Sequence, residues 1–304
     1  MRVSTPMMTG NLAARIAANA ERLYRLQQQI SSGKRMLAPS DDPTAASRAA
    51  QMRSSLAQVA QYADNVELAT QKLNTVDGLL GDLSTAIRSA RDIALQAANG
   101  TLSADSRQAL ALQLDDVIRR VMEIGNSESG GHYVFAGYRT QTTPFASNAG
   151  ATPPVIYNGD DGQQNIEVGR NASVAVNLPG SIVFNMGSAA DPGLDDVFTS
   201  LTKLRDSIAA GDSAAISQQI TDVDAHLERA LVLRGDVGGK LQRLEMCANQ
   251  LQNVDLAVSE ALSKTEDVDL AQAAVDLQMQ QNIYQATAAV AAQLNQMQLV
   301  DYLL

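Results

Sequence analysis

Hydrophobic residues recur every seven positions through a long stretch of the chain. One row consists of Met52, Val59, Val66, Leu73, Leu80, Ile87 and Ala94, and a second of Tyr62, Ala69, Val76, Leu83 and Ala90. Two rows at this spacing are typical of a helix packed in coiled-coil fashion. Asp42-Pro43 favours a helix start, because Asp accepts an unpaired backbone N–H and Pro has none to lose. Asn99-Gly100 favours its end.

Shorter helices follow the same periodicity. A row after a cap at Ser103 runs through Leu110, Leu114, Val117, Val121 and Ile124 and ends at Gly125, and another runs through Val197, Leu201, Leu204 and Ile208 and ends at Gly211-Asp212. Two further rows contain Ile216, Ile220, Val223, Leu227 and Ala230, and then Leu241, Leu244, Leu251, Val258 and Leu262. Both halves of the chain are therefore predicted to be helical.

The two chain ends carry apolar rows without an obvious partner. The rows are Leu12, Ile16, Leu23, Leu26 and Ile30 at one end and Ile283, Val290, Met297 and Leu304 at the other. Two helices of this length have too little internal surface for a full core. The rows either pack on the rest of the chain or bind other subunits, since head-to-tail contacts build open helical assemblies. The pattern leaves both interpretations open.

Between about residues 130 and 186 the period changes from helical to extended. The runs His132–Phe135 and Val155–Tyr157 are rich in β-formers, and Ile166–Val168 and Val174–Val176 alternate apolar and polar positions. Segments such as Asn158–Gly162 separate them, as hairpin turns do. A small β-rich module is therefore predicted inside a helical structure.

These patterns predict a mainly α fold, a long-helix coiled-coil bundle formed by both chain ends with a small β-rich domain inserted at its tip. The predicted domains are terminal assembly helices at 1–42 and 266–304, a helical bundle at 43–129 and 194–265, and the inserted β-rich domain at 130–193. This layout buries both sets of heptad rows.

The composition of the chain limits the kinds of partner that it is expected to bind. The 304-residue chain is 45% hydrophobic but only 4% aromatic, which suits thin helical packing, and its formal charge of −10 disfavours nucleic acid. We find no apolar run long enough to span a bilayer and no signal-peptide pattern at the start, so no membrane association and no Sec-type secretion are expected. The single Cys247 cannot form an intramolecular disulfide.

The sequence has few residues arranged for catalysis or metal binding. Adjacent acids such as Asp41-Asp42 and Asp195-Asp196 point to different sides of an element, and helix caps or turns explain them better than acid–base catalysis. His132 and His226 are far apart and lack ligands at metal-binding spacing. We therefore expect no enzyme activity, no catalytic residue, no metal and no cofactor.

Specific motifs resemble one family. Gln29-Ile30-Ser31-Ser32-Gly33-Lys34-Arg35 followed by Pro39-Ser40-Asp41-Asp42-Pro43-Thr44-Ala45-Ala46 is similar to the N-terminal motif shared by flagellins and flagellar hook-associated proteins. Met1–Thr5, the Asp-Asp-Pro variant, Gly137–Thr140 and Tyr157–Asp160 resemble the hook–filament junction members in particular. The resemblance extends over essentially the whole chain.

The resemblance implies a flagellin-like fold and a structural role in the bacterial flagellum. A junction subunit would contact hook-associated protein 1, flagellin and copies of itself in a helical ring. It would be exported through the flagellar type III apparatus without a cleaved signal peptide, with a cytosolic export chaperone holding its C-terminal region. The family further implies that the terminal rows are assembly contacts, and that Gly33, Asp41, Asp42 and Pro43 form the turn between the terminal helix and the long one.

Two alternatives remain open at the level of sequence. A flagellin-type filament subunit would share the terminal motifs, although Asp-Asp-Pro and the central segments argue against it. A cytoplasmic coiled-coil scaffold would share the heptads, but the β-rich module and the turn at Ser31–Arg35 count against it.

Overall fold

A computed structural model of the chain describes residues 5–99, 102–148, 152–186, 191 and 193–303, with backbone alone at 5–9 and 294–303. Within these ranges it has seven helices: α1 (Thr5–Ser32), α2 (Pro43–Ala97), α3 (Ala104–Gly125), α4 (Gly180–Val183), α5 (Val197–Ala210), α6 (Ser213–Glu266) and α7 (Leu270–Leu303). Its strands are β1 (Glu128–Ser129), β2 (His132–Tyr133), β3 (Phe145–Ser147), β4 (Val155–Tyr157), β5 (Asn165–Gly169) and β6 (Ala172–Ala175). The mainly α prediction is confirmed.

The long helix α2 begins and ends where its sequence predicts. Asp42 Oδ1 accepts a hydrogen bond from the backbone N–H of Ala45 at 3.0 Å, so Asp42 caps the helix that starts at Pro43. From Val66 to Ala94 both heptad rows are buried, with no member more than 4% exposed. The coiled-coil pattern therefore identifies the core-facing side of α2.

Two shorter helices also have the predicted caps. Ser103 accepts a hydrogen bond from the N–H of Ser106 at the start of α3. Gly211 ends α5 with φ of 78°, in the left-handed conformation that glycine adopts without steric cost.

α6 is longer than the pattern indicates. The apolar rows stop at Ala230 and begin again at Leu241, whereas the structure has one helix of 54 residues that continues through Gly235–Gly239. Val237 is 0% exposed between them and Leu244 is 0% exposed beyond them. Burial of these side chains compensates for the low helix propensity of glycine, so the helix continues.

The β-rich region consists of three separate antiparallel hairpins among the described residues, β1–β2, β3–β4 and β5–β6. Asn158–Gly162 is therefore a connection between two hairpins and not the turn within one, which corrects the sequence interpretation. Asp160 Oδ1 organises this connection by accepting hydrogen bonds from the N–H groups of Tyr138 at 2.7 Å and Gly162 at 2.9 Å.

All four phenylalanines of the chain meet in one buried cluster. Phe135, Phe145, Phe184 and Phe198 are each at most 1% exposed, and their ring centroids lie 4.6–5.8 Å apart in four pairs. This phenylalanine cluster joins a strand, β3, to the helix α5 and the segment around α4. The hairpin β3–β4 contributes Phe145 to this cluster, and Tyr157 of β4 packs beside it with ring centroids 5.2 Å apart.

The chain divides into two compact units, Met1–Gln58 with Asn253–Leu304, and Val59–Gln252. The first holds α1 and α7, and the second holds the hairpins and the phenylalanine cluster. The division into three domains stays a prediction. In the described part of the chain, no helix combines the length and the apolar character needed to cross a bilayer.

Candidate functional site

The first and last helices of the chain pack against each other. Asn19 Nδ2 donates to Thr287 Oγ1 at 3.3 Å, and Gln280 Nε2 donates to the backbone oxygen and Oδ1 of Asn19, both at 3.3 Å. Gln280 is 9% exposed and Ala273 is 4% exposed. The side of α7 that covers α1 therefore carries Ala273, Gln280 and Thr287, spaced seven residues apart.

The predicted row on α1 is only partly covered by this packing. Its five members are half-buried: Leu12, Ile16, Leu23, Leu26 and Ile30. On α7, Ile283 is 43% exposed and Val290 is 51% exposed, so the predicted row there lies beside the contact with α1. The side chain of Met297 and the whole of Leu304 lie outside the described residues. The assignment of both rows to assembly stays a prediction.

The apolar surface of α7 is larger than the predicted row. Val275 and Met279 are 61% and 54% exposed, and they precede Ile283 at intervals of four residues. Residues four apart lie on one side of a helix. Together with Val290 these residues form what we call the α7 apolar row: Val275, Met279, Ile283 and Val290. A search at four-residue as well as seven-residue spacing would have found its first two members.

Charged residues border the α7 apolar row. Grooves along the α1/α7 pair are lined by Arg15, Arg22 and Arg25 of α1 together with Met279, Ile283 and Val290 of α7. Glu21 pairs with Arg25 at 3.2 Å, but both side chains are more than half exposed, so this pair is weak. Glu21 and Asp276 also line these grooves, so the surface combines exposed apolar area with charges of both signs, three arginines and two acidic residues.

The turn after α1 is tied to the end of α6. Gly33 has φ of 70°, and its backbone oxygen accepts from the N–H of Val268 at 3.0 Å. The N–H of Arg35 donates to the backbone oxygen of Glu266 at 2.7 Å. Lys34 Nζ lies 2.8 Å from Asp267 Oδ1, which raises the pKa of Lys34 and lowers the pKa of Asp267. Gly33 is therefore required for its left-handed backbone.

The remaining predicted turn residues hold the entry to α2. Asp41 Oδ2 accepts from the N–H groups of Leu37 at 3.1 Å and Ala38 at 3.0 Å. Hydrogen bonds from Ala38 and then Leu37 lower the pKa of Asp41. Asp42 caps α2 and Pro43 is its first residue, so three of the predicted turn residues lie between α1 and α2 and the fourth begins α2.

Loss of the Asp42 cap is expected to destabilise the start of α2. Asp42→Ala leaves the N–H of Ala45 without its side-chain acceptor, at a cost of about 1 kcal/mol in the free energy of unfolding. Hydrogen exchange should be faster in the first turn of α2. Ser47→Ala, at an exposed position within the same helix, is the control and should change stability by less than about 0.5 kcal/mol. Equal exchange in both variants would show that Asp42 is not an effective cap.

We find no site for metal chemistry in the described ranges, where no three His, Cys, Asp or Glu residues lie close enough to hold an ion. The two histidines are separated, with His132 exposed on β2 and His226 buried in α6. Acidic neighbours have structural roles, since Asp196 Oδ1 accepts from the N–H of Thr199 as the cap of α5.

Comparisons with known proteins show the family of this chain. The family described as bacterial flagellin N-terminal helical region matches residues 3–140, and bacterial flagellin C-terminal helical region matches residues 213–303. The flagellar hook-associated protein 3 of Salmonella typhimurium is 30% identical over 94% of this chain and 95% of its own length. The flagellin of Bacillus subtilis is 24% identical, with 97% of each chain covered.

Solved structures show the same fold. A crystal structure of flagellar hook-associated protein 3 from Legionella pneumophila superposes with a TM-score of 0.62 at 17% identity, covering 70% of this chain and 98% of that one.

Proposed function

Because this chain belongs to the bacterial flagellin family, we propose that it is the structural subunit that joins the hook side of the flagellum to the flagellin filament. The observation that carries the proposal is the match to hook-associated protein 3, which is 30% identical along nearly the whole of both chains. A flagellin matches over a similar length at 24%, which favours the junction role over a filament role. Membership of the family disfavours a cytoplasmic scaffold, and the role is structural and not catalytic.

Assembly takes place through the terminal helices. The α7 apolar row is exposed in the single chain, and an exposed apolar surface is stabilised when a neighbouring subunit covers it. The arginines beside it can pair with acidic side chains of a neighbouring subunit at the edge of this contact.

The turn between α1 and α2 keeps this surface in place. Lys34 pairs with Asp267 and lies 3.7 Å from Glu266, and Glu266 also pairs with Arg53. Glu266 is 6% exposed, so its charge depends on these partners. The turn between α1 and α2 is thus tied to the segment between α6 and α7.

The partners of the proposed junction are hook-associated protein 1 on one side, flagellin on the other and copies of this chain within a ring. Export takes place through the flagellar type III apparatus, and a cytosolic chaperone binds the C-terminal region beforehand. An exposed apolar row on α7 is a surface that such a chaperone can protect.

Localisation in the bacterium that encodes the chain tests the role. Antibody labelling of sheared flagella in the electron microscope is expected to place the protein only at the proximal end of the filament. A strain without the protein should secrete flagellin and lack filaments. Labelling along the whole filament would instead identify a flagellin, and absence from sheared flagella would support the scaffold.

The α7 apolar row is expected to be needed for assembly but not for folding. Ile283→Ser with Val290→Ser removes apolar area that is already exposed, so stability should change by less than about 1 kcal/mol. Incorporation into flagella should fall by roughly tenfold or more, as for other central interface residues.

Gln278→Ser with Gln285→Ser is the matched control, because both residues are exposed on the other side of α7. Quantitative mass spectrometry of sheared flagella measures incorporation, and circular dichroism of the purified variants measures folding. Normal incorporation of the Ile283/Val290 variant would contradict the assignment of this row, while the localisation test of the junction role would stand independently.

A further inference from the structure

Five glycines lie inside the two longest helices without a steric reason. They are Gly78 and Gly81 in α2 and Gly235, Gly238 and Gly239 in α6. None is among the glycines with positive φ. A Cβ added at four of them would meet no atom within 4 Å, and at Gly81 it would lie 3.7 Å from Arg234 Cζ, an ordinary contact distance. Alanine would therefore fit at every one of these positions.

Glycine weakens a helix at such positions. Each glycine lowers the equilibrium constant for the helical state roughly two- to fivefold relative to alanine, because it loses more backbone freedom on folding. Five of them together make this part of the helix pair much easier to distort than the rest. The folded structure gains no contact in return.

The glycine segments of the two helices adjoin one ion pair. Arg234 Nε lies 2.9 Å from Asp77 Oδ1, and Arg234 Nη2 lies 3.2 Å from Asp77 Oδ2. Asp77 directly precedes Gly78, and Arg234 directly precedes Gly235. Arg91 of α2 pairs with Asp224 of α6, so the two helices run antiparallel, and the two weak segments begin at the Asp77–Arg234 pair and extend from it in opposite directions. We call residues 78–81 of α2 and 235–239 of α6 the glycine level.

On the side of α6 that faces away from α2, no other described element packs against the glycine level. Earlier in the helix, His226 contacts Ser200 of α5 at 3.1 Å, and Arg229 donates to the backbone oxygen of Ile182 in α4 at 2.8 Å. Beyond Ala230 the outer side is exposed: Val232 is 65% exposed and Met246 is 60% exposed. The glycine level thus follows directly after the last braced turn.

We propose that the glycine level is a bending point of the α2/α6 pair, at which the parts of α6 before and after it change direction while both remain helical. Val76, Leu80 and Val237 are at most 1% exposed there, so an apolar contact between the helices persists during bending. The exposed ion pair Asp77–Arg234 sets the resting register and is weak enough to yield. This inference concerns the single chain and does not depend on the proposed function.

Distance measurements between spin labels test the bending. In the full-length chain with Cys247→Ser, labels at Gln218→Cys and Gln250→Cys are exposed and lie on either side of the glycine level in α6. A straight helix places them about 48 Å apart. We expect a broad distance distribution that extends to shorter values. Alanine at all five glycines should narrow it to one peak and slow hydrogen exchange at the glycine level by about tenfold or more.

A matched variant separates bending from general helix stabilisation. Ser89→Ala, Gln96→Ala, Ser217→Ala, Thr221→Ala and Asn249→Ala are five exposed changes in the same helices outside the glycine level. This variant should keep the broad distribution. A single narrow peak in the parent chain, or a broad distribution that survives alanine at the five glycines, would overturn the proposal.

Discussion

Replacing Phe184 by alanine is expected to lower the free energy of unfolding by about 3–5 kcal/mol, the usual cost of truncating a buried aromatic ring. The ring is 0% exposed, and its centroid lies 4.6 Å from that of Phe145, 5.5 Å from Phe198 and 5.8 Å from Phe135. Truncation removes three aromatic contacts at once and leaves a cavity between a strand and two helical segments. Urea unfolding of the full-length chain measures the loss.

Two control variants make this prediction specific. Phe184→Leu keeps most of the apolar volume, and its cost should be roughly 1–2 kcal/mol. Tyr24→Ala removes an aromatic ring that is 61% exposed, and its effect should stay within about 0.5 kcal/mol. Hydrogen exchange in β3 should be faster in Phe184→Ala, because Phe145 lies in that strand. A loss below about 1 kcal/mol would contradict the central position given to Phe184.

Because the packing around the phenylalanine cluster is tight, the cavity left by Phe184→Ala should not close easily. A Cβ added at Gly125 would lie 2.7 Å from Phe145 Cδ2, and one added at Gly180 would lie 2.7 Å from both Phe145 Cζ and a ring atom of Tyr157. Backbone therefore approaches the rings directly, and rigid backbone fills a cavity poorly.

Local patterns predicted the helical half of this fold well. The heptad rows of α2 are a property of one continuous segment, and so are the caps at Asp42, Ser103 and Gly211. Each depends on residues within a few positions of one another, which is the range that sequence periodicity reports. The continuity of α6 through its glycines could not be predicted in this way. It depends on the burial of Val237 in the core, which a local pattern does not report.

Contacts between distant segments were not predictable from pattern alone. The four phenylalanines span positions 135 to 198, and no local period brings them together. On α7 the covered side carries Ala273, Gln280 and Thr287, whereas the more hydrophobic Ile283 and Val290 remain exposed. Hydrogen bonds from Gln280 to Asn19 explain why this polar side of α7 can face α1, since a buried amide needs a partner.

The same limit applies to the candidate assembly surface. The turn residues Gly33, Asp41, Asp42 and Pro43 were identified through the family motif, and their hydrogen bonds give each one a physical role. The α7 apolar row was found only in part, because a seven-residue search from Ile283 onward omits Val275 and Met279.

His226 is expected to make the chain less stable in mild acid, by about 3 kcal/mol between pH 7 and pH 4. Its side chain is buried against Ser200, with only 3% of the residue exposed. Burial, and next to it the positive charge of Arg229, lowers the pKa of His226 to about 4, while Asp195 acts weakly in the opposite direction. The sequence contains a signal for this burial, because Val223 three residues before His226 and Ala230 four residues after it place the histidine on the apolar side of the helix.

The sign follows from comparing the folded and unfolded states. At pH 7 the histidine is neutral in both, so it does not affect stability. Below the ordinary histidine pKa of about 6.5 the unfolded chain takes up a proton that the folded chain rejects, and folding becomes less favourable. The loss accumulates until the pH reaches about 4, where the folded state is protonated as well.

Urea unfolding at several pH values between 7 and 4 measures this effect against two variants. His226→Gln keeps a polar group near Ser200 but cannot take up the proton, so its stability should depend on pH by about 3 kcal/mol less than that of the parent chain. His132→Gln removes the exposed histidine and should keep the parent's pH dependence. Parallel curves for the parent and His226→Gln would mean that the acid sensitivity arises elsewhere, since only the buried imidazole distinguishes these two proteins.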